Sequence, residues 1–317
     1  MTTTTESNFF LQTSESERFE DFETGCITHP ELVRIFDAFK ANMVEVTYVV
    51  QSYFNLMVHA KIQEASNKIY DRNKMLAYAD SMRGGFSDDS ERIRKDAAER
   101  TKLEIENGGF ENFSILDTVI KTLNELEKDE VIELSNKSTL RQSIVIIWSA
   151  IESLIRDTIK FKLNSEKELA ILFFESTETA PYWHKKQITF EHIKSYDLDL
   201  SNRLGDVALE INSCSNLSSM KVAMSFVFGK SSSSFLNLKS NDFFKLYKLR
   251  NVIAHRNGMV DEKYKSEVEC SEDVGQAVNV TPELFRFCFN TAKELATVML
   301  RDISNNSIQP TANTSAD

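Results

Sequence analysis

The sequence predicts an all-α protein on three observations. Its 317 residues include only 9 Gly and 4 Pro, too few breakers for a turn-dense β fold. Leu32, Phe36, Phe39, Met43, Val46, Val50, Tyr53 and Met57 follow one another at alternating steps of four and three, the seam of a bundle or coiled coil. A second stripe runs through Leu140, Ile144, Ile147, Ile151, Leu154 and Phe161. The predicted architecture is an N-terminal hairpin or bundle of long helices, then a C-terminal helical bundle with an insertion and room for a short β-hairpin.

Residues 1–28 are rich in Thr, Ser and Glu, which predicts a flexible N-terminus. Pro30 opens the first long helix, since proline is tolerated in a first turn. The pattern carries that helix through Ile62 toward Met82, until Gly84-Gly85 stops it. The next stretch, Asp88 to Glu106, alternates acids and bases almost throughout. Its charges nearly cancel, so it reads as a solvated helix with local ion pairs rather than an RNA-binding arm. A third helix covers about Phe113 to Leu126, which makes 29–135 a helical domain of unassigned role. Ser138 to Phe161 forms a deeply buried helix, its stripe thickened by Ile155 and Ile159. Residues 165–235 hold short helical pieces (167–175, 201–212, 218–228), a Pro181-Tyr-Trp-His segment and a serine run at 231–234 that reads as a loop. From Asn241 the helical pattern resumes to a stop at Asn257-Gly258. Residues 259–281 fit a short hairpin, with Val278 and Val280 alternating. Pro282 starts the last helix, and the tail 304–317 is expected to be disordered.

Composition narrows the function. A net charge of −11 argues against indiscriminate coating of nucleic acid, so a phosphate-binding surface has to be local. Between Lys239 and Lys265 stand seven Lys/Arg and three acids, a window of net +4 in an acidic protein. Cys26, Cys214, Cys270 and Cys288 are scattered, without zinc-ligand spacing or a disulfide framework. No metal or other cofactor is expected. No run reaches the ~18–20 apolar residues of a membrane span, and the N-terminus lacks the basic start and apolar core of a signal peptide. A cytoplasmic protein with no membrane partner is the expectation. Phosphate-binding loops, Gly-rich dinucleotide turns and nucleophile elbows are absent from the sequence.

The segment Lys248-Leu-Arg-Asn-Val-Ile-Ala-His-Arg-Asn-Gly258 points to chemistry. Arginine, an amide and histidine together can handle a phosphodiester without a metal. On a helix Arg250 neighbours Leu246, Tyr247, Ile253 and Ala254, all apolar or aromatic, which puts it in a stripe meant for a core or interface. A buried unpaired guanidinium costs several kcal/mol, so Arg250 needs a carboxylate or an anion beside it. Arg250 and His255 are about 140° around and ~7.5 Å along the axis from each other, close enough for long side chains to converge on one ligand. The helix dipole at this C-terminal turn favours imidazolium, whereas Arg250 and Arg256 oppose it.

Arg250-Asn251-X3-His255 followed by Arg-Asn-Gly resembles the signature of the HEPN superfamily, helical domains of which many are metal-independent endoribonucleases. Ile146–Leu163 resembles the family's earlier long amphipathic helix. The resemblance covers about 136–303, with 165–235 as an elaboration. It implies a HEPN-like helical bundle there, and an RNA substrate cleaved by 2′-OH attack to a 2′,3′-cyclic phosphate. It implies His255 as proton-transfer group, Arg250 as stabiliser of the phosphorane and Asn251 as orienting residue. Lys248, Arg256 and Tyr247 would bind substrate. It further implies a homodimer with two motif helices facing one cleft, and a toxin or antiviral defence role restrained by an inhibitory protein partner or by the N-terminal helices.

Plainer readings stand beside this one. Arg250 also suits a buried salt bridge to Glu152, which can equally position it for catalysis, and His255 suits a helix end. The same pocket fits a non-catalytic module that binds a nucleotide or a protein partner, and the chain also fits a helical scaffold with an inert Arg–His pair. His29, His59, His184 and His192 show no ligand spacing. Trp148 and Trp183 read as core rather than base-stacking platforms, and the stripe at 32–57 as bundle core rather than a dimer seam.

Overall fold

A computed structural model describes residues 24–25, 27–84, 90–184 and 188–307. Among them are fourteen α-helices and no β-strand, so the chain is all-α. The described residues divide into two compact units, one within 50–136 and the other within 24–49 and 137–307. The first long helix therefore groups with the C-terminal unit rather than with a domain spanning 29–135.

Helix α1 (Pro30–Val50) begins on its proline, where the missing N–H has no helical partner to lose. Leu32, Phe36, Phe39, Met43, Val46 and Val50 are all buried. The four-three stripe is core within one chain, not a surface left for a second copy. One continuous helix to Met82 was expected; the helix instead breaks at Gln51 and restarts as α2 (Ser52–Arg83). No Pro or Gly marks that break, so local propensity could not locate it.

In the first unit, α2 packs against α3 (Ser90–Glu106). Each offers a narrow stripe at every fourth residue, Ala65, Ile69, Asn73 and Ala77 facing Ile93, Ala97 and Thr101. Arg72 pairs with Glu104 and Arg100 with Asp80 (3.0 Å), a register only antiparallel helices give. Asn73 Nδ2 donates to Thr101 Oγ1 (3.3 Å) and Glu104 Oε2 (3.1 Å). The charged helix thus carries ion pairs within itself and across to α2, plus a buried stripe of small residues. Helix α4 (Ile115–Leu126) buries Val119 and Leu123 against Tyr53, Phe54, Met57 and Val58 of α2. Leu116 and Ile120 of the same helix are exposed.

The second unit is built on α5 (Glu130–Ser165), whose residues from 137 onward belong to it. Leu140, Ile144, Ile147, Trp148, Ile151, Leu154, Ile155 and Ile159 are buried. Around it lie α6 (Lys167–Glu175), α7 (Ala180–Trp183), α8 (Phe190–Ser195), α9 (Leu204–Ile211), α10 (Leu217–Phe228), α11 (Ser233–Leu238), α12 (Asn241–Arg256), α13 (Glu262–Glu267) and α14 (Pro282–Ser307). Both tryptophans are core. Trp148 packs on Phe243 (5.6 Å), and Trp183 packs on Phe173 (4.8 Å) while its Nε1 donates to the Ala208 carbonyl (2.9 Å).

Three expectations change here. The serine run is not a loop throughout, because Ser232 caps α11 and Ser233–Ser234 lie inside it. Ser234 also donates through N and Oγ to Asp302 of α14. The hairpin over 259–281 is reduced to one antiparallel bridge, Met259 to Ala277, with α13 between. Val278 and Val280 are both buried, so the alternation is real, but it belongs to an extended strip rather than a ladder. Helix α14 runs on to Ser307, into the segment expected to be disordered. The readings that fall on residues 1–23, 26, 85–89, 185–187 and 308–317, the stop at Gly85 and the helix start at Asp88 included, lie outside the described residues.

Helix α9 seats on the end of α5 through Gly205. A Cβ there would meet the Lys160 carbonyl oxygen at 2.2 Å, and backbone cannot give way as a flexible side chain can. Gly205→Ala is expected to destabilise by about 1–3 kcal/mol, read as a lower urea midpoint at unchanged m-value.

Candidate functional site

The motif sits on α12, which Ser240 caps by accepting from Phe243 N (3.1 Å). Its far end closes with Asn257 in the left-handed region (φ 53°) and Gly258 at φ 77°. Asn257 N donates to the Val252 carbonyl, the six-to-one spacing of a left-handed helix stop, and Gly258 N donates to the same oxygen (3.0 Å). Arg141 of α5 lies behind this turn and donates through Nη2 to the Val278 carbonyl (3.3 Å). His255 and Arg256 are thereby held in a defined last turn.

Phe243, Leu246, Leu249, Val252 and Ile253 bury one side of α12. Arg250 stands at the edge of that side. Leu246 and Ile253 are buried beside it, but Tyr247 is half-buried and Ala254 is exposed. The arginine therefore does not lie wholly within an apolar stripe; its side chain keeps 19% of its exposure. The guanidinium lies over the Trp148 ring, 5.6 Å from its centroid. Nη2 faces Glu152 Oε2 at 3.6 Å, and Nη1 donates to Asn251 Oδ1 (2.9 Å). Nε is buried without a hydrogen bond.

The carboxylate expected for Arg250 is thus present, and it comes from Glu152. Asn251 engages Arg250 in this structure. Burial raises the Glu152 carboxyl above the ordinary carboxylate range, and the charges of Arg250 and Arg156 and the Trp148 indole offset only part of that. The indole N–H lies outside hydrogen-bond geometry, so its help is electrostatic. Nearby Cys214 is fully buried, its thiol pushed up to about 12 by that burial, which removes it as a nucleophile.

A raised folded-state pKa makes a pH prediction. Protonated Glu152 favours folding; that contribution is complete below the carboxylate range of the unfolded chain and is lost as pH rises through the higher folded value. Glu152→Gln has no such loss. From about pH 4 to about pH 7, wild type should lose stability relative to the variant, as urea unfolding at each pH would show. A constant difference across that range would contradict the burial of this carboxyl.

An open groove of about 410 Å³ gathers Arg250, Asn251, His255, Lys248, Arg256 and Tyr247. His255 is exposed, and neither ring nitrogen bonds to another described residue. Tyr247 stands against Trp148 at 5.2 Å. Lys248 pairs with Glu267, and Arg256 faces Asp261 at 3.6 Å. Of the site residues read from sequence, only Glu152 lies behind the groove rather than on its wall.

The opposite wall comes from residues the sequence did not single out. Asp261, Lys263, Tyr264 and Glu267 arrive on and before α13, and Ser215 and Asn216 precede α10. Asp261 could have been found as a helix cap, since its Oδ1 accepts from Tyr264 N (2.7 Å). Asn216 is likewise a helix cap, its Oδ1 accepting from Ser219 N (2.9 Å) at the start of α10; nothing local marks Ser215, and both approach the groove only through folding. Among the described residues no three His, Cys, Asp or Glu side chains gather as a metal site, and no helix is long and apolar enough to cross a membrane.

Compared with protein-family models, curated proteins and solved structures, the chain matches none.

Proposed function

We propose that the α12 groove is the active site of a metal-independent endoribonuclease of HEPN type. One observation carries the reading: Arg250, Asn251 and His255 line a single open groove together with Lys248 and Arg256. Cleavage there follows from side-chain chemistry alone. Neutral His255 takes the proton of a ribose 2′-OH as O2′ forms a bond to the adjacent phosphorus. The P–O5′ bond breaks, and the departing oxygen takes a proton from water. The products are a 2′,3′-cyclic phosphate and a 5′-OH end. The Arg250 guanidinium stabilises the charge that grows on the phosphorane oxygens, and its fork suits that geometry better than a point charge. Lys248 and Arg256 hold flanking phosphates, and Tyr247 offers a ring edge to a base.

The same resemblance adds a homodimer across one cleft and a restraining protein partner, in a toxin or defence setting. Both belong to the proposal. RNA incubated with purified protein in excess EDTA tests its core. Fragments ending in 2′,3′-cyclic phosphate are the expected result; intact RNA under varied salt and pH would remove it. A second reading, a non-catalytic module for a nucleotide or partner phosphate, draws on a specific observation: Arg250 already has Glu152 and Asn251 as partners. Tight RNA binding without cleavage would favour that module.

A further inference from the structure

Three of the cations that line the groove, Lys248, Arg250 and Arg256, already face carboxylates of the protein. Lys248 is held by Glu267, with side chains 16% and 32% exposed, and it lies over the Phe244 ring at 5.1 Å. Arg256 faces Asp261, Arg250 faces Glu152, and only the Glu152 pair is anchored in the long core helix. The other two carboxylates belong to α13 and its cap. Asp261 divides its oxygens, Oδ1 capping α13 and Oδ2 facing Arg256.

Helix α13 is weakly held. It has six residues, and within it only Tyr264 is buried. Tyr264 lines the groove on one side and a second open space of about 360 Å³ between α12 and α14 on the other. So short a helix has little stability of its own. Its place depends on one buried ring, its cap, the two ion pairs to α12 and the Lys265–Asp273 pair (2.6 Å).

We infer that α13 and its capping residue form an acidic latch, which makes RNA compete with the protein's own carboxylates for Lys248 and Arg256. The inference rests on the reading of the groove as an RNA site, and concerns how that site is restrained. A phosphate reaching Lys248 must displace Glu267 or share the cation with it, and the displaced carboxylate remains close enough to repel it. A chain that brings several phosphates at once can outcompete both acids together, whereas a single phosphate faces each in turn. The latch thus favours a polyanion over a mononucleotide, although it lowers affinity for both.

Asp261→Asn and Glu267→Gln remove the charges while sparing the architecture. Asparagine caps a helix as well as aspartate does, and the glutamine oxygen can still accept from Lys248. Both are made in the cleavage-dead His255→Ala background, and fluorescence anisotropy reads binding of a labelled single-stranded RNA over a range of salt. The double variant is expected to bind about tenfold tighter, with log K against log salt steeper by about 0.7 for each cation freed. Glu178→Gln, whose partner Lys230 lies outside the groove, should leave both quantities unchanged. Should the double variant unfold, Glu267→Gln alone reports the same direction. Equal affinity and slope for the double variant and its RNA-binding parent would overturn the latch and leave the RNA site intact. Absence of RNA binding by parent and variants alike, even at low salt, would overturn both.

Discussion

Replacing His255 by alanine is expected to lower RNA cleavage by about 10²–10⁴-fold, the usual contribution of a positioned proton-transfer group. The fold should be nearly indifferent. His255 is exposed and bonds to no other described residue, and surface changes of this kind stay within about 0.5 kcal/mol. Cleavage rate and thermal unfolding measured on the same preparation separate the two effects. A variant that melts like wild type and cuts like wild type would take the proton-transfer role away from His255. RNA affinity adds a further distinction. Lys248 and Arg256 supply phosphate contacts without the imidazole, so binding should outlast cleavage.

Trp148→Ala should be among the most damaging single changes to stability. The indole is fully buried and touches Phe243 at 5.6 Å, Tyr247 at 5.2 Å and the Arg250 guanidinium at 5.6 Å. Truncating such a ring costs about 3–5 kcal/mol, a large share of the roughly 5–15 kcal/mol that holds a domain. Denaturant unfolding would show the loss. Activity should fall beyond what unfolding explains, because Arg250 loses the surface that sets its height above Glu152. Trp148→Phe restores an aromatic face and should recover most of the stability. A Trp148→Ala protein with a wild-type midpoint would mean that α5 and α12 are not held together through this ring.

Legibility in this sequence follows the length of the signal. Long stripes were legible: six of the eight residues in the four-three seam are buried in α1, and the other two, Tyr53 and Met57, pack against Val119 and Leu123. Chain punctuation was legible too, with Pro30 and Pro282 opening helices and Asn257-Gly258 closing α12. Elements of six residues were not. Helix α13 is too short for a periodic pattern and was read as part of a hairpin; Ser232–Ser234 had the composition of a loop. The break at Gln51 carries no breaker residue at all.

The same distinction holds at the site. Arg250, Asn251 and His255 were named from spacing, because one helix fixes their separation through its own backbone bonds. Glu152 was named from the cost of burying a guanidinium beside apolar neighbours, an argument that requires a partner without locating it. The pairing of Lys248 with Glu267, of Arg256 with Asp261, and the approach of Ser215 and Asn216 were beyond such reasoning. Those contacts join segments linked by no shared periodicity, and their distances depend on how α10, α12 and α13 pack. Sequence alone determined which groups could do the chemistry, since helix geometry is local. Only the tertiary structure decided which carboxylates face those groups, since a charge's neighbours across a groove are set by packing of the whole unit.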